Sequence, residues 1–308
     1  MPDGPFPGAA PSPQNIRAGI LAYAAGDALG VPWEGKTPDA VHWEALEELP
    51  ARGDWPRGST SDDTAQMLLV ARYLAETKGQ VDERGFLTRL AKALPRMRGV
   101  GPTTSAAVRR FIETGELHAA DGSSIGAAMR ALPFGWATSV ADAQRRRELT
   151  IRLSRATHGA PAAIMSACVV ATMAAWAIEQ NPIEAVIAAG LREADHFAKR
   201  YGLGSATLQP LRQAADGEWG AYEPGTSLDA VTTVATVLYI LREATSLATA
   251  MKCAVALGGD TDTAAAIVGG ILGCQVEDID SVIPWLPRVV LPEAEIVEAT
   301  AADLCELR

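Results

Sequence analysis

The sequence predicts an all-α protein, a single compact multi-helix domain, on three observations. Apolar residues recur at helical spacing in 16–30, 64–77, 84–94, 104–114, 163–179, 182–200, 228–243, 246–256 and 263–273. Runs of alternating Val, Ile and Thr bounded by hairpin turns are missing. Apolar residues make up 48% of the 308 and aromatics only 6%, a balance that suits closely packed alanine-rich helices better than a β-sandwich. With no long flexible linker and no fixed-period repeat, the expected organisation is a disordered tail over 1–14 and one domain over 15–308.

Taken in order, the opening MPDGPFPGAAPSPQ is rich in Pro and Gly. It has neither a basic n-region nor an apolar h-region, so it reads as a tail and not as a signal peptide. GILAYAAGDALGVPWEG follows as a helix ending near Gly30, with Pro32 beyond it. Gly26, Ala28 and Gly30 keep one side small, which implies close backbone approach by a neighbour. Glu34 then sits in a loop beside Trp33. Segment 160–178 carries no charge and needs a membrane test; its alanines, Ser166, Thr172 and lack of an adjoining basic flank favour a buried core helix. Pro182, Pro210 and Pro224 are read as helix boundaries, with Asn181 as a cap and Pro182 as the first helical residue.

Charge and cysteine usage narrow the function. A formal charge of −10 argues against a general nucleic-acid or anionic-membrane surface. A negatively charged ligand would need local donors or metal ions to receive it. The four cysteines, Cys168, Cys253, Cys274 and Cys305, are far apart, without a CxxC pair. Three of them fall in apolar helical context and read as buried thiols in a reduced, cytoplasmic setting. A monomer is the expected oligomeric state.

The chemistry concentrates in two segments. In GSTSDDTAQMLLVARYL, Ser61, Asp62, Asp63 and Thr64 precede an amphipathic helix. In LGGDTDTAAAIVGGILG, Asp260, Asp262 and Thr263 follow two glycines and precede an apolar one. The unpaired amides and positive dipole of a helix start favour one carboxylate. Either segment alone would therefore read as an ordinary cap. Two clusters, each with a second carboxylate that repels the first, exceed what capping requires. The second also heads a helix apolar nearly all round, where clustered carboxylates need a cation to offset desolvation. Oxygen ligands without His or Cys point to Mg²⁺, Mn²⁺ or Ca²⁺ and away from zinc.

Elsewhere, loop 121–127 (DGSSIGA) leads into AAMRALP and offers successive amides for a diphosphate. GPTT at 101–104 offers a similar group. Arg130 reads as a structural ion-pairing residue, and His42, His118 and His196 as surface residues.

Together, GDALGVPWE, STSDDTAQM, GPTTSAA, GAAMRALP, THGAPAAI and GGDTDTAAAIVGGILG occur in the order seen in the ADP-ribosylglycohydrolases, and the chain is identified as resembling that family from about residue 18 to 274. The resemblance implies an all-α fold with a binuclear metal centre, two Mg²⁺ or Mn²⁺ ions, at the base of a cleft. It implies Ser61, Asp62, Asp63, Asp260, Asp262 and Thr263 as metal ligands, Asp262 bridging the ions, and Glu34, Asp63 and Asp262 as catalytic residues. It implies Gly101, Thr103, Gly122, Ser123, Ser124, Ile125, Gly126 and His158 at the substrate, and Asp27 as a hydrogen-bonding support. Three departures stand out: Ser61 for the usual threonine, Ile125 for a frequent asparagine, and Gly99-Val100-Gly101 where some arginine-specific members carry an acid. The activity implied is release of ADP-ribose from a modified protein, with arginine as acceptor. Other acceptors (serine, a nucleobase or a small metabolite) and a non-catalytic ADP-ribose-binding or crystallin-like role are the alternatives.

Overall fold

Helices α1 (Pro13–Gly30) and α12 (Thr261–Gly273) form the axis of this computed structural model, which describes residues 10–218 and 226–308. Between them run α2 (Asp62–Glu76), α3 (Glu83–Ala93), α4 (Pro102–Thr114), α5 (Leu132–Trp136), α6 (Ala143–Ser154), α7 (Pro161–Ile178), α8 (Ile183–Tyr201), α9 (Ser205–Ala215), α10 (Ala230–Glu243) and α11 (Leu247–Ala256). Two more, α13 (Ile279–Val282) and α14 (Val297–Glu306), close the chain. Among the described residues there are isolated β-bridges and no strand. All nine segments with helical periodicity are helices.

The α1–α12 pair is the most extensively packed in the molecule, and small residues allow it. A Cβ on Gly26 would fall 2.2 Å from the Ala265 carbonyl oxygen, and one on Gly30 would fall 2.4 Å from the Asp262 Cα. Only glycine admits that approach. The Thr261 hydroxyl donates to the Gly30 carbonyl at 2.9 Å, so the first residue of α12 satisfies a terminal carbonyl of α1. The small face read from the sequence is thus the seam that brings the second acidic cluster to the end of α1.

Helix α7 is long and apolar enough to cross a membrane by composition, with a mean hydropathy of 1.8, but 83% of it is buried inside the protein. It packs on α5, α6, α8 and α10, the surroundings of a core helix.

Three local expectations are corrected. Pro210 lies inside α9 and does not bound it; the helix is only eleven residues long, so the missing amide removes a bond near its middle without ending it. Pro182 is the N-cap of α8, one position before the helix proper. The helix expected from Ala127 is a single 3₁₀ turn over Ile125–Ala127. A fresh start at Leu132 follows, because Pro133 has no amide to continue the preceding turn. Of the expected tail, residues 1–9 lie outside the described residues, as does Pro224, while Pro13 and Gln14 form the first turn of α1 behind the Ser12 capping box.

Candidate active site

Helix α2 begins at the first acidic cluster. Ser61 is its N-cap, and the Ser61 hydroxyl accepts from the Asp63 amide at 3.1 Å. Asp27, buried on α1, holds this helix start from outside. Its carboxylate accepts from the Ser61 amide at 3.0 Å, the Thr64 amide at 3.1 Å and the Thr64 hydroxyl at 2.5 Å. Burial raises its pKa to about 6 despite those bonds. It acts as a second cap, delivered by a different helix.

Helix α12 begins at the second cluster. Asp260 is the N-cap and caps nothing with its side chain, whereas Asp262 accepts from the Thr263 amide at 3.0 Å. The approach is fixed by backbone pairing: Gly259 donates to Lys36 at 2.7 Å and accepts from Gly35 at 2.8 Å, and Asp260 donates to Thr226 at 2.9 Å. The loop carrying Glu34 is therefore tied to the loop carrying Asp260.

The two clusters converge. Asp62, Asp63, Asp260 and Asp262 each expose only 4 to 6% of their surface, and their charges act on one another across the gap. Burial, then repulsion from Asp27, Asp62 and Asp260, holds Asp63 well above the carboxylate range. Burial, then Asp63, Glu34 and Asp260, does the same to Asp262. Asp62 and Asp260 are each pushed up to about 7, chiefly by burial, with Glu34 adding repulsion at both.

Among the described residues no Lys, Arg or His side chain pairs directly with any of these four aspartates. Asp63 Oδ2 and Asp260 Oδ2 are buried without a hydrogen-bond partner; native proteins seldom leave such atoms unsatisfied. Among the described residues no three Asp, Glu, His or Cys side chains are gathered into a ready-made metal cage. The fit to a hard divalent cation rests instead on an all-oxygen donor set, two orphaned carboxylate oxygens and mutual repulsion. A cavity of about 790 Å³ lies elsewhere, beside Arg72, Arg89 and Lys92, and none of the expected site residues lines it. Volume is the weaker guide here, since uncompensated buried charge is what demands a ligand.

Around the acids stand residues that sequence reasoning missed. Glu34, half-buried, pairs with Arg52, whose guanidinium lies 5.1 Å from the Trp55 ring centre; Arg98 approaches the same ring at 5.8 Å. A Cβ on Gly99 would come 3.3 Å from both Asp62 Oδ1 and Trp55, which places the Gly99-Val100-Gly101 stretch against the first cluster. Gln66 donates to Asp62 at 2.5 Å and accepts from Arg130 at 2.7 Å. Its position one helical turn after Asp62 was a usable signal; nothing comparable marked Arg52 or Trp55.

The expected ligand loops also meet. Gly101 is the N-cap of α4, and Thr103 on that helix accepts from Ser124 at 3.2 Å. Two amides of loop 121–127 are committed within the protein, Gly122 to the Asp121 side chain and Ile125 to the Leu228 carbonyl. Ser123 accepts from the Ala230 amide. A Cβ on Gly126 would lie 2.8 Å from the His158 ring, so the loop rests directly on that histidine. His158 is fully buried, with one ring nitrogen on Thr157 and the other on Ser124. Any influence it has on a ligand passes through Ser124. Arg130 makes no ion pair among the described residues; it is held by Gln66, Thr157 and the Phe86 ring, because it reaches Asp62 only through Gln66. His42, His118 and His196 are exposed, as expected.

A helical scaffold that buries two acid-bearing helix starts defines a class, and a family profile for ADP-ribosylglycohydrolases matches residues 10–308. The chain belongs to the ADP-ribosylglycohydrolase family. It is 28% identical over 280 residues to the ADP-ribosyl-[dinitrogen reductase] glycohydrolase of Rhodospirillum rubrum, covering 88% of each chain. It is 29% identical over 309 residues to an uncharacterised protein of Archaeoglobus fulgidus, covering 96% and 97% of the two chains. Among solved structures it resembles a chain of an ADP-ribosylglycohydrolase-related protein complex, with a TM-score of 0.77, 27% identity and coverage of 96% and 98%.

Proposed function

We propose that this glycohydrolase is divalent-metal-dependent and removes ADP-ribose from modified protein side chains, with arginine as acceptor, so reversing mono-ADP-ribosylation. One observation carries the reading: acids from the starts of α2 and α12 share a buried spot in which Asp63 Oδ2 and Asp260 Oδ2 have no partner. Ser61, Asp62, Asp63, Asp260, Asp262 and Thr263 are the residues that would hold two Mg²⁺ or Mn²⁺ ions. Bound there, such ions supply Lewis acidity and positive charge at the reacting end of the ribose.

The remaining work falls to the chain's own groups. Asp27 keeps the Ser61 and Thr64 amides in place, so the first cluster is organised before substrate arrives. Glu34, at the half-buried rim, would hold the attacking water, accept its proton as the water oxygen bonds to the anomeric carbon, and return that proton to the acceptor nitrogen as the glycosidic bond breaks. The start of α4 at Gly101 and the hydroxyls of Thr103, Ser123 and Ser124 receive the diphosphate. Burial of all four aspartates excludes bulk water from the reacting centre.

Arginine as acceptor is supported by Arg52. A guanidinium already rests between the Glu34 carboxylate and the Trp55 face at this rim. The second reading, a serine, nucleobase or metabolite linkage, is favoured by Gly99-Val100-Gly101, which brings no acid to the stretch beside Asp62. Purified protein incubated with Mg²⁺ or Mn²⁺ and a panel of arginine-, serine- and nucleobase-linked ADP-ribosyl substrates separates them. Release from the arginine conjugate, abolished by EDTA, is expected. No release from any conjugate, or release indifferent to EDTA, refutes the proposal.

A further inference from the structure

A buried train of hydrogen bonds joins the acidic cluster to the diphosphate loops. Gln66 Nε2 donates to Asp62 Oδ2 at 2.5 Å, and Gln66 Oε1 accepts from Arg130 Nη1 at 2.7 Å. The other arm of Arg130, Nη2, donates to Thr157 Oγ1. Thr157 Oγ1 lies 2.8 Å from His158 Nδ1, His158 Nε2 lies 3.0 Å from Ser124 Oγ, and Ser124 Oγ donates to Thr103 Oγ1 at 3.2 Å. Gln66, Arg130, Thr157 and His158 are buried, while Ser124 and Thr103 are half-exposed.

The direction of every bond follows from Arg130. A guanidinium has only donors, so Gln66 Oε1 and Thr157 Oγ1 must both accept. The Gln66 amide is thereby oriented with its NH₂ on Asp62. Thr157 has one hydroxyl hydrogen, and His158 Nδ1 is its remaining neighbour. A hydrogen on Nδ1 would strand that hydroxyl hydrogen in the interior, at the full desolvation cost of a buried donor. Thr157 therefore donates to Nδ1. Burial and the neighbouring Arg130 cation keep the ring neutral, with its pKa pushed down to about 3. A neutral ring with Nδ1 bare carries its hydrogen on Nε2 and donates to Ser124. Ser124, having accepted, turns its own hydrogen to Thr103. Among the described residues the Thr103 hydroxyl donates to no protein group, so the train ends in a donor at the half-exposed side.

We propose that Arg130 is a positioning residue which, through Thr157, locks His158 as its Nε2–H tautomer and, through Ser124, turns the Thr103 hydroxyl into a donor for a phosphoryl oxygen, while through Gln66 it steadies Asp62. A phosphoryl oxygen accepts only, and the Thr103 hydroxyl, which already accepts from Ser124, meets it as a donor. This rests on the reading above that an ADP-ribosyl ligand spans the acids and these loops.

The test is made on the full chain with Mg²⁺ present. Long-range ¹H–¹⁵N correlation spectra of the histidine rings report the tautomer, and titration with ADP-ribose reports affinity. His158 is expected as Nε2–H in the wild type and in Thr157→Ser. Thr157→Val is expected to lose that single tautomer, to bind ADP-ribose about tenfold more weakly, and to raise KM about tenfold with kcat nearly unchanged. Ser124→Ala is expected to keep the tautomer and lose about tenfold in affinity. An Nδ1–H ring in the wild type, no ADP-ribose binding by the wild type, or unchanged affinity in Ser124→Ala overturns the proposal. So does a Thr157→Val protein with wild-type tautomer and affinity; should that variant not fold, the wild type and Ser124→Ala decide. A chain that shows the expected tautomers and affinities yet cleaves no conjugate would instead sink the hydrolase reading alone.

Discussion

Asp260→Asn should make the metal-free protein more stable at neutral pH while removing its response to metal. Asp260 is almost fully buried and one of its oxygens has no partner. Its pKa is raised from the ordinary 3.8 to about 7, first by burial, with Glu34 and Asp62 repelling it. A carboxyl whose folded pKa is raised gives its full stability below the unfolded pKa and loses it as pH rises through the folded one. For Asp260 that window runs from 3.8 to about 7. At about 1.4 kcal/mol per pKa unit, the loss by neutral pH is on the order of 4 kcal/mol. For a chain of this length ~1 kcal/mol corresponds to roughly 1.5 °C, so Tm in EDTA should fall by about 6 °C between about pH 4 and about pH 7. Asn at the site carries no charge and should recover much of that fall. Saturating the wild type with Mg²⁺ or Mn²⁺ at about 100 times Kd should add about 3 kcal/mol, or roughly 4 °C. The variant should gain far less. Differential scanning calorimetry on both proteins, with EDTA and with metal, reads all of this. A metal-free Tm that is flat across the window and unmoved by Asp260→Asn would refute the idea of an uncompensated acidic cluster.

Other expectations bear on the same geometry. Asp62→Ala should abolish release of ADP-ribose while leaving the far-ultraviolet circular dichroism of the fold intact, because it removes an acid at a helix start and no core packing; turnover at the wild-type rate would contradict its assignment. Ser61→Thr should change activity less than about twofold, since either hydroxyl caps α2, whereas Ser61→Ala should cost about 1 kcal/mol in chemical denaturation. Gly30→Ala should lower both stability and activity, because the new methyl group would meet the backbone of Asp262 and displace the start of α12; wild-type turnover and Tm would show that the seam tolerates a shift.

Much of this arrangement was legible in the sequence because it is written in short-range chemistry. The nine periodic segments carry their own apolar stripes, and both acidic clusters announce themselves as helix starts with one carboxylate too many. Gly26 and Gly30 foretold the α1–α12 seam. Helix α6 escaped notice because AQRRRELTIRLS presents a polar string, yet Arg146 is buried and spends its guanidinium on Thr172 and the Ser139 carbonyl. Burial by hydrogen bonding leaves no apolar period to read. Helix α9 was hidden by Pro210, a residue that local propensity treats as a break. In the site, the Arg52–Glu34 pair and the Arg130 junction unite residues with no sequence rule linking them. Only the packing of α1, α2 and the loop before α7 determines which donors face which acids.

The seam between α1 and α12 also has a consequence for biosynthesis. The bond from Thr261 to Gly30 spans 231 residues, so a ribosome must extend the chain past Asp262 before both halves of the acidic spot exist together. Pairing across such a distance pays its loop-closure entropy late and slows folding. Catalytic competence should therefore appear as one of the final events of maturation. A polypeptide interrupted anywhere upstream of Asp260 would hold only the α2 half of the acidic spot.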